Sequence, residues 1–264
     1  MKPLLCVNEK GIYCERAGIY IDPWQPVKQA LITHAHSDHA RWGNAQYLCH
    51  QDTMPILKLR LGADIRVQSL AYGEQLVING VTFSFHPAGH IVGSAQIRAA
   101  YKGEVWVVTG DYKLLDDGLS QPYEPITCHH LITESTFGLP VYAFKSPFVV
   151  YNEIKDWWFG NQLDGVNTVL LCYALGKAQA ILNQLQGVTD APILLHGAVA
   201  NVNDAFAANG YHFPGQRLNT DRAGKPANGA LILAPPSALG SPWMRRLGAY
   251  RVAMCSGWMQ LRGA

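Results

Sequence analysis

The chain has 264 residues, of which 48% are hydrophobic and 15% are charged. This composition excludes a disordered chain, and the length suffices for one large domain or two smaller ones. The formal net charge of +2 excludes a protein that grips a polyanion by overall positive charge, although a local basic groove remains open.

The sequence also bears on the compartment. No apolar run is long enough for a membrane span, and the first residues lack the apolar core of a secretion signal. The six cysteines form no C-x-x-C pair. We therefore expect a cytoplasmic protein without disulfides and without a membrane partner.

The first half of the chain predicts short strands separated by turns. Residues 11–13 and 17–22 predict a hairpin that ends in a carboxylate, and residues 29–33 predict a short buried strand. A helix is predicted to begin near Asp52, because a capping residue there precedes a proline in the first turn. The remaining strands are predicted at residues 75–78, 81–85, 95–99 and 104–109.

Four residues of metal-ligand type follow the strand at 29–33: His34, His36, Asp38 and His39. Such a cluster can arise in a solvated loop, but imidazoles and a carboxylate in this spacing suit zinc and related metals. One ion cannot use all four groups. Because His34 and His36 can project to one side of an extended segment, the spacing predicts two adjacent metal sites and metal-assisted hydrolysis.

Other strands end in residues that would complete such a site. His90 follows the strand at 81–85, and Asp111 follows the strand at 104–109, where its carboxylate could bridge two cations. Glu134 follows residues 131–133, although an acid at a strand end is often only a cap. The repeated order of strand, turn and ligand favours a shared metal centre.

The second half alternates helices with strands. Helices are predicted at residues 152–159 and 176–185, and strands at 168–173, 230–234 and 251–255. This alternation favours a small doubly wound parallel sheet.

Together these residues resemble the motif series of the metallo-β-lactamase fold, with Asp22 at the position of its structural aspartate. Glu134, within residues 133–138, resembles the first motif of the β-CASP subgroup. Bacterial ligase-associated DNA exonucleases, which are similar to mRNA 3′-end processing factors, have segments that resemble residues 86–96, 173–179 and 256–263. The resemblance implies an α/β fold, an αββα metallo-β-lactamase sandwich over residues 1–137, with an inserted β-CASP α/β domain over residues 138–264.

The resemblance also assigns roles. It implies that His34, His36 and His90 hold a first zinc, that Asp38 and His39 contribute to a second, and that Asp111 bridges the two. Mn²⁺ is an alternative metal. Asp38, Asp111 and Glu134 are the implied catalytic residues, Glu134 by orienting a histidine that protonates the leaving group.

The chain departs from the β-CASP pattern in one respect. Two further histidine motifs are expected after the inserted domain, and neither occurs before Ala264. We therefore expect the C-terminal completing part of the first domain to be absent and the second zinc site to be incomplete. His196, before Gly197, resembles the last of these motifs, but its position favours the inserted domain.

The implied function is metal-dependent hydrolysis of phosphodiesters in nucleic acid. A DNA exonuclease linked to repair or ligation is favoured, with DNA rather than RNA as partner and a DNA ligase or helicase as an implied protein partner. The alternatives are an RNA 3′-end processing nuclease of the same fold and a truncated, inactive protein that binds nucleic acid or a partner.

Overall fold

A computed structural model describes residues 2–219, 226 and 228–259. The chain divides into two compact units, each with its own core. The first unit consists of Met1–Asp116 and Ser120–Thr136, and the second of Asp117–Leu119 and Phe137–Ala264. Within the described residues, no helix has both the length and the apolar composition that crossing a membrane requires.

The first unit contains a six-stranded sheet whose spatial order follows the sequence. The strands are β1 (Cys6–Asn8), β2 (Gly11–Cys14), β3 (Ile19–Ile21), β4 (Ala30–Ile32), β5 (Tyr47–His50) and β6 (Val67–Leu70). The first three strands pair antiparallel, which confirms the predicted hairpin, and the remaining pairs are parallel. Helix α1 (Met54–Leu61) follows β5, with Pro55 in its first turn as the sequence predicts.

A second sheet of the first unit has five strands in the order β11, β10, β9, β8, β7. They are β7 (Gln75–Ile78), β8 (Val81–Pro87), β9 (Ala95–Tyr101), β10 (Glu104–Val108) and β11 (His130–Ile132). Strands β7 to β10 pair antiparallel, and β10 pairs with β11 in parallel. All five strands correspond to runs that the sequence predicts.

The two sheets share one hydrophobic core. Side chains alternate along a strand, so that Phe83 and Phe85 of β8 enter this core while Ser84 and His86 face the other way. Ile21 of β3 and Leu31 of β4 contribute from the other sheet and are fully buried. The shared core fixes the strands whose ends carry the ligand-type residues.

The second unit is built on a five-stranded parallel sheet in the order β14, β13, β15, β12, β16. Its strands are β12 (Asn167–Leu171), β13 (Ile193–Leu195), β14 (Gln216–Arg217), β15 (Leu231–Ala234) and β16 (Tyr250–Met254). Its helices are α2 (Pro147–Leu163), α3 (Lys177–Leu185), α4 (Gly197–Ala207) and α5 (Pro242–Arg245), with a 3₁₀ helix at Pro236–Ala238.

The pairing confirms that the strands predicted in the second half form a parallel sheet. Residues 256–259 of the segment 256–263 are described, and the rest of that segment lies outside the described residues.

Candidate metal centre

The ligand-type residues of the first unit lie just beyond the ends of its strands. His34 and His36 follow β4, His90 follows β8 and Asp111 follows β10. Each of these strands is anchored in its sheet, so the loops that leave them carry side chains in fixed positions. The structure thus brings together groups that are up to 77 residues apart in sequence, by the difference 111 − 34.

Four donor atoms converge at this edge. The Nε2 atom of His34 lies 3.0 Å from Nδ1 of His36, and Nε2 of His90 lies 3.2 Å from the same atom. An Oδ2 atom of Asp111 lies 3.7 Å from Nε2 of His34 and 3.6 Å from Nε2 of His90. One atom from each of the four residues lies within 4.8 Å of every other, a group that could hold a metal ion.

Four of the six separations among these donor atoms are close to those of a tetrahedral metal site. Ligands placed at about 2.0–2.1 Å from a zinc ion in tetrahedral geometry are roughly 3.3–3.4 Å apart. The measured separations of 3.0, 3.2, 3.6 and 3.7 Å bracket this value. Three imidazoles with one carboxylate are also the donor types that zinc accepts. The residues present therefore fit a divalent transition metal.

The other oxygen of Asp111 faces His39. Its Oδ1 atom lies 3.0 Å from Nε2 of His39, and Asp38 Oδ2 lies 3.8 Å from the same nitrogen. The Asp38 side chain is 71% exposed. Asp111 thus lies between His34 and His90 on one side and His39 on the other, as a bridging carboxylate would.

Asp22 holds the far side of the His39 ring. Its Oδ2 lies 2.7 Å from His39 Nδ1 and accepts a hydrogen bond of 2.5 Å from Thr33 Oγ1. Its Oδ1 accepts the backbone N–H of Thr33 at 2.8 Å. Carboxylates behind ligand histidines fix the ring orientation and the tautomer. The arrangement orients His39 Nε2 towards Asp111.

The electrostatics of the cluster favour neutral imidazoles at the four-ligand group. Complete burial, reinforced by neighbouring His39 and His36, keeps the pKa of His34 well below its usual value. Burial, with His36 nearby, lowers the pKa of His90 to about 3. Both rings therefore present lone pairs at neutral pH, the form in which histidine binds metals.

The carboxylate-facing ring behaves in the opposite way. Burial alone lowers the pKa of His39, but its hydrogen bonds to Asp111 and Asp22 outweigh burial and raise the pKa to about 10. For Asp111, burial alone would raise the pKa. The hydrogen bond from His39 more than compensates for burial, so the net shift of the Asp111 pKa is downward. A cation bound at His39 would therefore take the place of a proton.

The Glu134 side chain accepts hydrogen bonds from two backbone N–H groups near the site. Its Oε1 accepts the N–H of Tyr112 at 3.4 Å, and its Oε2 accepts that of Thr136 at 2.8 Å. Tyr112 directly follows Asp111, so the Glu134 carboxylate contacts the loop that carries Asp111. Glu134 is not one of the four converging residues.

Support for the His90 loop was not anticipated from the sequence. The Ser94 hydroxyl accepts the backbone N–H of His90 at 3.1 Å, and the Ser94 carbonyl accepts the Tyr72 hydroxyl at 2.8 Å. The Tyr72 ring stacks on His50, with ring centroids 3.6 Å apart and planes at 14°. No motif marks Tyr72, because its contact with Ser94 joins residues that are 22 positions apart in sequence.

The buried His50 should make stability depend on pH. Burial, only partly offset by Asp52, lowers the pKa of His50 to about 4, against about 6.5 in an unfolded chain. As the pH falls, this histidine therefore takes up a proton in the unfolded state before it does so in the folded state. The stabilisation provided by neutral His50 is complete above pH 6.5 and is lost as the pH falls to 4. We expect His50→Phe to remove up to about 3 kcal/mol of this dependence, measured by chemical unfolding from pH 7 to 4. The exposed His212 gives the control His212→Phe, and an unchanged slope in His50→Phe would contradict the assignment.

Gly110 allows Asp111 to approach the first ligand loop. Its φ is +56°, and an added Cβ would lie 2.6 Å from both Cβ and Oγ1 of Thr33. Thr33 is 1% exposed and cannot move aside without shifting His34. We expect Gly110→Ala to lower the free energy of unfolding by about 1–3 kcal/mol and to weaken metal binding.

Gly103 provides a matched control for that substitution. It also has a positive φ, +86°, but an added Cβ there meets nothing within 4 Å. Gly103→Ala shares the backbone strain without the collision. Equal losses of metal affinity in the two variants, measured by metal titration, would show that the contact with Thr33 is unimportant.

His196 lies in the second unit and caps a helix there. Its Nδ1 accepts the backbone N–H of Ala198 at 3.1 Å at the start of α4, and its ring makes an edge contact with Trp243. Burial lowers the pKa of His196. It is not part of the converging group of His34, His36, His90 and Asp111.

The sequence is similar to those of several known proteins. The chain is 33% identical over 262 residues to a protein of Opitutus terrae named probable DNA ligase, covering 96% of this chain and 25% of that protein. It is 24% identical over 212 residues to an RNase J-like protein of Methanocaldococcus jannaschii, covering 68% and 50%. It is also 24% identical over 177 residues to cleavage and polyadenylation specificity factor 73 of Drosophila melanogaster, covering 61% and 25%.

The chain belongs to the metallo-β-lactamase/β-CASP family. No family model matches it. A solved structure of a protein of unknown function from Enterococcus faecalis shares the fold, with a TM-score of 0.52 at 13% identity over 87% of this chain and 69% of that one. The present chain spans between a quarter and a half of the length of the three curated relatives described above.

Proposed function

We propose that the chain is a metal-dependent nuclease that hydrolyses phosphodiesters of nucleic acid. The observation that carries the proposal is the convergence of donor atoms from His34, His36, His90 and Asp111 within 4.8 Å of one another, with His39 beside the second oxygen of Asp111. Zinc is the proposed metal and Mn²⁺ the alternative. The proposal places an αββα metallo-β-lactamase sandwich in residues 1–137 and a β-CASP domain in residues 138–264.

The contacts described above support a proposed role for each residue. In this proposal His34, His36 and His90 hold one cation, Asp38 and His39 contribute to a second, and Asp111 bridges. When bound, two divalent cations would supply Lewis acidity at the phosphoryl oxygens and lower the pKa of an attacking water. Neutral His34 and His90 supply lone pairs, and Asp22 keeps His39 turned towards Asp111.

Glu134 is proposed as a positioning residue. Its hydrogen bond to the N–H of Tyr112 restrains the loop of Asp111, the carboxylate that would bridge the cations. Its proposed role is therefore to set the direction of the Asp111 carboxylate, in addition to any orientation of a proton donor.

DNA is the proposed substrate. The relative from Opitutus terrae is named as a probable DNA ligase and is matched across 96% of this chain. This match favours a nuclease linked to DNA ligation, with a ligase or helicase as its proposed partner. The names of the archaeal and Drosophila relatives support RNA as the second candidate.

The test uses matched single-stranded and double-stranded DNA and RNA, labelled at the 5′ or the 3′ end. We expect release of nucleotides from DNA in the presence of Zn²⁺ or Mn²⁺ and none after chelation. Faster release from RNA would favour the second candidate. Metal binding and strand binding without cleavage of any substrate would overturn the nuclease and leave a binding protein.

A further inference from the structure

Helix α1 touches both loops that carry the converging histidines. The residue before the helix, Thr53, is 2% exposed, and its Oγ1 donates a hydrogen bond of 2.7 Å to the carbonyl of Gly93. Gly93 belongs to the turn that follows His90. The start of α1 is therefore fastened to the His90 loop.

The packing at this end leaves little freedom. A Cβ on Gly93 would lie 2.7 Å from the backbone nitrogen of Thr53, so the two backbones are in direct contact. The next residue, Ser94, accepts the backbone N–H groups of His90 and Ile91 at 3.1 Å each. Displacement of Thr53 would thus be passed through Gly93 and Ser94 to His90.

The last turn of α1 reaches the other ligand loop. Arg60 donates through Nη1 to the carbonyl of Ala35, which is 2% exposed and lies between His34 and His36. Because this carbonyl joins two ligand residues, fixing it restrains the backbone of both. The helix is eight residues long and therefore spans about 12 Å between these two contacts.

We propose that α1 is a splint between the two ligand loops, and that Thr53 and Arg60 are positioning residues that set the spacing of His34 and His36 against His90. The inference rests on the proposed metal site and deepens it. Neither residue would touch the metal; both act through the backbone of the ligand loops.

The charge of Arg60 allows the proposal to be tested by the sign of an effect. The guanidinium is close enough to act electrostatically on His34 and on Asp38. A positive charge beside a cation site opposes cation binding. If Arg60 acted by charge alone, its removal would tighten metal binding, whereas a splint predicts weaker binding.

The experiment measures Co²⁺ affinity of the full chain from the visible absorption of the bound ion. We expect Arg60→Met to weaken binding about 10–100-fold, the usual cost of losing a residue that orients ligands, and Arg60→Lys to recover part of the loss. Lys58→Met is the control, because it removes a positive charge from the same turn and the described residues show no side-chain partner for Lys58.

The opposite end of the helix gives an independent arm. Thr53→Val should weaken Co²⁺ binding, and Thr53→Ser, which keeps the hydroxyl, should bind as the wild type does. Equal or tighter binding by folded Arg60→Met would overturn the splint while the metal site stands. Absence of Co²⁺ binding by the wild-type chain would overturn the metal site and the splint with it.

Discussion

Asp111→Asn should lower metal-dependent nucleotide release by on the order of 10³-fold or more, the scale of loss seen when a central catalytic group is removed. One carboxylate oxygen faces His34 and His90, and the other faces His39. An amide keeps the shape but carries no negative charge, and its nitrogen cannot bind a cation. The proposed cation sites at His34 and His90 and at His39 should therefore both bind metal more weakly.

The measurement is the initial rate of release from end-labelled DNA at saturating metal. Asp64→Asn is the control, since Asp64 is an exposed acid of the same unit. A rate in Asp111→Asn within a few-fold of the wild type would show that the activity does not use this cluster.

Asp22→Asn should lower the free energy of unfolding of the first unit by about 3 kcal/mol, because a largely buried carboxylate with charged and hydrogen-bonded partners is replaced. Asp22 accepts both the N–H and the hydroxyl of Thr33 and also contacts His39, and its side chain is only 12% exposed. Its φ of 42° is one that asparagine tolerates, so the substitution changes the charge and not the backbone preference.

Chemical unfolding measures the loss, and metal titration should show a second effect, since His39 is no longer oriented. Glu74→Gln is the control, because Glu74 is a surface acid that accepts one backbone N–H, from Ala71. A loss no larger than that of Glu74→Gln would mean that Asp22 does not hold the loop.

The convergence of His34, His36, His90 and Asp111 could be predicted because each signal lies at the end of a strand. His34 and His36 follow a buried strand, and His90 and Asp111 each follow a strand of their own, so that pattern and position agree. Strands β5 and β6 were not predicted, since Tyr47–His50 and Val67–Leu70 are only four residues long and the second alternates little between apolar and polar residues. Helix α4 was missed because it begins at Gly197 and contains asparagines, which have low helix propensity.

The supporting contacts could not be read from the sequence. Arg60 reaches Ala35 across 25 residues, and Thr53 reaches Gly93 across 40. No spacing rule connects such residues, since the contacts exist only after β5, α1 and β8 have been placed by the core. The same holds for the stack of Tyr72 on His50.

The most direct test of the metal centre is a crystal of the full chain grown with Zn²⁺, with diffraction recorded on both sides of the zinc absorption edge. We expect an anomalous peak about 2.0–2.2 Å from Nε2 of His34, Nδ1 of His36, Nε2 of His90 and a carboxylate oxygen of Asp111. Strong zinc peaks elsewhere, with none in contact with these four residues, would contradict it.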